Sequence, residues 1–74
     1  MRMPKWSIIY RMRECYPEGS RVELDFMEKP KAPPKGTRGT VLGVDLAGSI
    51  IVDWDNGSEL NVTYGVDKCH PVHD

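Results

Sequence analysis

Long apolar runs are missing from this 74-residue chain. The opening segment, MRMPKWSIIYRMRE, holds no stretch long enough for a secretory signal or a membrane span, so a cytoplasmic location is expected. Cysteine is scarce. With only Cys15 and Cys69, a reducing compartment predicts two free thiols, whereas export would let them pair. A strong charge of one sign is also absent: the net charge is −1, which calls for neither a nucleic-acid nor a membrane partner. GTRGTV has two glycines but no helix after it to cradle a phosphate, and no nucleophile elbow, kinase set or Rossmann fingerprint occurs. Neither enzymatic activity nor a cofactor is expected, and no internal repeat is visible.

What the chain does have is turn chemistry. Six prolines and seven glycines favour short elements joined by tight turns. A chain of this size buries only about 60% of its unfolded surface, so one domain needs a closed sheet, a docked helix or a partner subunit. Its charge is unevenly spread. Residues 1–38 hold nine Lys/Arg and five acids, while residues 39–74 hold one Lys and six acids.

Residues 4–15 (PKWSIIYRMREC) predict a helix, with Pro4 in the first turn. Trp6, Ile9, Tyr10 and Arg13 recur at helical spacing, as do Ile8, Met12 and Cys15. Tyr16-Pro17-Glu18-Gly19 ends it, dividing a helix-and-connector segment (1–19) from a β domain (20–74). From Ser20 to Phe26 the chain alternates, with Val22, Leu24 and Phe26 on one side and Arg21, Glu23 and Asp25 on the other. EKPKAPPKG (28–36) is a proline-rich loop. Strand signals return at Thr40–Asp45, Ser49–Trp54 and Ser58–Thr63. Tyr64-Gly65-Val66-Asp67 then turns into a last strand near Cys69–Val72.

The Asn56-Gly57 pair poses a register question. A two-residue turn there sets Trp54 against Glu59 and Val52 against Asn61. A three-residue loop, Asp55-Asn56-Gly57, instead pairs Val52 with Leu60 and Ile50 with Val62, making one apolar face. That loop requires positive φ at Gly57. Gly48 fits the same scheme, with Val44 opposite Ile50. A bulge at Gly43 would turn Val41 inward in place of Leu42. The pattern predicts a mainly β fold: a small barrel of about five antiparallel strands with one N-terminal α-helix.

YPEGSRVEL, MEKPKAPPKGTRGTVLGVD, GSIIVDWDNGSEL and GVDKCHPV, taken in order over residues 16–72, resemble the bacterial domain-of-unknown-function family 4314. These are small proteins of Gram-positive bacteria, often carried on phages, plasmids and conjugative elements. GTRGTV and WDNG are more distantly similar to the SH3-like domains of Mind bomb and HERC-type ubiquitin ligases. Both resemblances imply an SH3-like barrel, and neither implies a catalytic residue. Two local departures stand out: Glu28-Lys29-Pro30 replaces an expected Asp-Pro step, and Thr63-Tyr64 stands where an apolar-proline step is expected.

Several groups of residues are candidates for binding. Asp53, Asp55 and Glu59 crowd the hairpin end, as a docking point for a basic peptide or cation or as a solvated turn beside a base such as Arg38. Lys29, Lys31, Lys35 and Arg38, with Arg11, Arg13 and Arg21, suit a basic nucleic-acid surface or the protection of a sheet edge. Trp54, Tyr64, Tyr16 and Phe26 suit either a groove for extended segments or the core. Trp6 and Tyr10 either cover the open end of the barrel or form an interaction face, through which the chain is able to self-associate. Cys69, His70, His73 and Asp74 fall short of a four-ligand zinc set, so no metal is expected. Gly48, Asn56 and Gly57 are turn devices. The resulting expectation is a non-catalytic protein-interaction domain, an adaptor or accessory protein of a bacterial mobile element or phage. The alternatives are a nucleic-acid-binding barrel using the proline-rich loop, and a phage counter-defence factor that inhibits a host immunity protein or sequesters a nucleotide signal.

Overall fold

The computed structural model describes residues 6–73; Pro4 and Asp74 lie outside the described residues. Helix α1 (Trp6–Cys15) follows from its stripe: Ile9 and Met12 are buried, with Ile8 and Tyr16 packed beside them. Burial of this kind, about 1.5–3 kcal/mol per large side chain, holds a helix too short to persist alone. Arg13 ties it down further by donating to the Val44 carbonyl at 3.4 Å. The buried pair takes one residue from each recurring set, and Trp6 and Tyr10, at helical spacing from Ile9, face out, 61% and 58% exposed.

Strands β1 (Arg21–Phe26), β2 (Arg38–Val44), β3 (Ser49–Trp54), β4 (Val62–Thr63) and β5 (Lys68–Val72) form one antiparallel sheet ordered β4-β3-β2-β1-β5. The fold is mainly β, with the five antiparallel strands and the N-terminal helix that the sequence predicts. The sheet stays open: β4 and β5 are its two edges, adjacent across the Tyr64–Asp67 turn but without a shared ladder. Its core comprises Val22, Leu24, Met27, Val41, Val44, Ile50, Val52, Trp54 and Val62, capped by Ile9 and Met12 from the helix.

Turn chemistry behaves as expected. Gly48 and Gly57 have φ of 86° and 89°. Gly57 N–H donates to the Trp54 carbonyl and Trp54 N–H to the Ser58 carbonyl, the bonds of a type I turn closed by a glycine at positive φ. Ile50 pairs with Val62, so the three-residue loop sets the register. In β2 the ladder shifts between Val41 and Gly43; Val41 is wholly buried and Leu42 points out.

Two expectations need correction. Phe26 does not share the inner face with Val22 and Leu24. The β1–β5 register shifts between Leu24 and Phe26, which leaves Phe26 53% exposed and brings Met27 inward. The Ser58–Thr63 strand shrinks to Val62–Thr63, because side chains take its carbonyls: the Trp54 indole N–H donates to Leu60 (2.7 Å) and Lys29 Nζ to Asn61 (2.8 Å). Gly39 makes room for that indole. A methyl at Gly39 would sit 2.6 Å from Val52 Cγ1 and 2.9 Å from Cε3 of Trp54.

Candidate functional site

Strand alternation sends Arg21, Glu23 and Asp25 of β1 to the outer face, where their neighbours across the sheet complete a set of ion pairs and hydrogen bonds. Arg21 grips Asp55 through both terminal guanidinium nitrogens and also donates to Thr40 Oγ1. The Arg21 bond holds the Asp55 carboxyl below its ordinary range. Glu23 faces Arg38 at 3.3 Å. His70 Nδ1 lies 2.9 Å from Asp25, and its Nε2 lies 3.6 Å from Glu23. The basic neighbour of the hairpin acids is thus Arg21 by direct contact. Asp53 and Glu59 lie exposed on the same hairpin.

The proline-rich loop is divided in function. Lys29 points inward, bonding to the Asn61 carbonyl, to Thr63 Oγ1 and, through an ion pair, to Asp67, whose side chain is fully buried. Asp67 also accepts from the N–H groups of Glu28 (2.8 Å) and Thr63 (2.9 Å). Burial pushes its carboxyl up, but the Lys29 ammonium and the two N–H donors outweigh it and hold it below the ordinary value. Asp67 therefore clamps the loop to the β4–β5 turn. In the sequence Asp67 is a turn residue, and the departure at Glu28-Lys29-Pro30 is the one local signal on its partner's side. Lys31 and Lys35 remain exposed. Arg21 and Arg38 are thus in ion pairs, Lys29 is turned inward and Arg13 is on a carbonyl, so these four basic groups are already engaged.

Trp54 is 1% exposed, so it belongs to the core and cannot line a surface groove. Tyr64 is 52% exposed and Tyr16 half-buried, and these two lie along the same cleft.

That cleft, of about 480 Å³, opens between α1 and the β4–β5 seam. Met12, Ile50 and Val62, all buried, form its floor. Ile8, Cys15, Tyr16, Cys69, Asp25 and Asp67 stand in its walls, with Arg11, Tyr64, Gly65 and Lys68 completing the lining. Tyr16 donates its hydroxyl to the Cys69 carbonyl at 3.2 Å, and burial raises the pKa of that hydroxyl. Burial, with Asp25 nearby, pushes the Cys69 thiol up to about 11. Both cysteines are free thiols on this one cleft. Among the described residues no group of three His, Cys, Asp or Glu side chains is placed to hold a metal. His70 points to β1 carboxylates, while its neighbour Cys69 lines the cleft. No helix among the described residues is long and apolar enough to cross a membrane.

The family described as "Domain of unknown function (DUF4314)" matches residues 5–72. No curated protein matches the chain, and no solved structure does.

Proposed function

We propose that this chain, which belongs to the DUF4314 family, is a non-catalytic protein-interaction module that docks through the outer face of α1. One observation carries the reading. Trp6 and Tyr10, one turn apart, hold their ring centroids 6.4 Å apart on the solvent side of the helix, each more than half exposed. Two large rings left uncovered on a domain with a small core are costly to solubility and are characteristic of contact surfaces. The same helix carries Arg11 and Arg13 against a single acid, Glu14, which suits a partner with an apolar pocket and an acidic rim. An accessory role on a mobile element is the setting that the family resemblance supports.

Paired affinity captures of the wild type and of Trp6→Ala/Tyr10→Ala, with and without nuclease, test this reading. One protein is expected at stoichiometric level with the wild type, surviving nuclease and lost at least tenfold in the variant, about the loss for truncating an aromatic anchor. Capture that vanishes with nuclease would replace it with nucleic-acid binding through Lys31 and Lys35. Concentration-dependent dimerisation abolished by the variant would make the partner a second copy of this chain.

A further inference from the structure

We infer that the cleft between α1 and the β4–β5 seam is a binding site for a small organic anion with an apolar body and a single acidic head. The site is distinct from the aromatic face of α1 and does not depend on the docking role. Its volume, about 480 Å³, falls within the roughly 300–1,000 Å³ typical of small-molecule pockets. Met12, Ile50 and Val62 provide an apolar floor that rewards removing a hydrocarbon or aromatic body from water.

The charge left available in the cleft is positive. Of its two carboxylates, Asp67 is balanced by Lys29 and two backbone N–H groups, which leaves Asp25, hydrogen-bonded to His70 Nδ1, against the two cations of the cleft. Arg11 and Lys68 also line it, and among the described residues neither side chain makes a hydrogen bond or an ion pair. Two uncommitted cations beside an apolar floor complement a carboxylate or phosphate on an apolar body.

The adjoining sheet edge argues for a free small molecule over an extended peptide. Peptides that add to a sheet depend on main-chain hydrogen bonds along an exposed edge strand. In β5 the Cys69 carbonyl is occupied by the Tyr16 hydroxyl, and Pro71 has no N–H to offer. A ligand here is gripped by side chains.

The probe is 1-anilinonaphthalene-8-sulfonate, an apolar anion, titrated into the full chain and followed by amide and methyl chemical shifts. N-phenyl-1-naphthylamine, nearly the same body without the acid, is the comparison. One molecule of the sulfonate is expected to bind, with the largest shifts at Met12, Ile50, Val62 and Cys69. Arg11→Glu/Lys68→Glu is expected to weaken it about tenfold, consistent with two partly screened charge contacts, while the neutral probe keeps its affinity. Both side chains are at the surface, and an unchanged β-sheet amide spectrum verifies the fold. Arg11→Ala/Lys68→Ala gives an intermediate loss. Shifts centred on Trp6 and Tyr10, equal weakening of both probes, or no effect of charge reversal would each overturn the assignment. Because the titration contains no partner protein, its failure leaves the docking reading, tested separately with Trp6→Ala/Tyr10→Ala, untouched.

Discussion

Asp67 is the residue on which the open side of the sheet depends. A buried carboxylate survives only when its partners outweigh the loss of hydration; here one ammonium and two backbone N–H groups do so. Asp67→Ala leaves the N–H groups of Glu28 and Thr63 unpaired and Lys29 without its anion. The expected cost is about 3 kcal/mol, in line with breaking a buried charged hydrogen-bond set, read from urea unfolding midpoints. A loss under about 1 kcal/mol would mean that the clamp behaves as a surface salt bridge.

Among the elements, the β3–β4 hairpin shows how side chains compete with a ladder. Its register was legible in the sequence, because one-residue slippage would set Val52 and Ile50 against polar residues, and because Gly57 suits the positive φ of a three-residue loop. Its length was not. The Leu60 and Asn61 carbonyls bond to Trp54 and Lys29, and the latter pairing spans 32 residues. Amides of residues 58–61 should therefore exchange with solvent faster than those of β2 and β3. Trp54→Phe, which removes the indole donor, should cost about 1–3 kcal/mol and raise exchange at 58–61 further. Slow exchange throughout 58–63 in the wild type would instead mean a continuous strand.

On the scale of the whole molecule, the uneven charge along the chain becomes local neutrality. β1, from the basic half, lies between β2 and β5, and Arg21–Asp55 and Lys29–Asp67 join the two halves. The pH dependence follows from the groups whose pKa moves. Asp55 and Asp67 lie below their unfolded values, so their contribution is complete above about pH 5 and fades as pH falls through the lowered values. Tyr16 and Cys69 lie above theirs. Their contribution is complete below the unfolded values and is lost as pH rises, for Cys69 between its ordinary 9.0 and about 11. Unfolding midpoints from pH 2.5 to 11 should trace a dome, with Asp67→Asn flattening the acid arm and Cys69→Ser the alkaline one. A midpoint independent of pH on either arm would contradict the corresponding pair of shifts.

The sequence by itself determined what local sterics and periodicity decide: the helix, the alternation at Val22 and Leu24, the positive φ at Gly48 and Gly57, and the bulge that buries Val41. These depend on residues within a few positions of one another, so the pattern is readable along the chain. Tertiary structure alone decided what depends on distant residues. It turned Phe26 out through a register shift against β5, and it sealed Trp54 into the core over Gly39. It also matched Lys29 to an acid 38 residues away, and it left a cleft where helix and sheet edges meet without filling the space. No spacing rule carries that information, because the free energy of each contact is set by which surfaces the fold brings together.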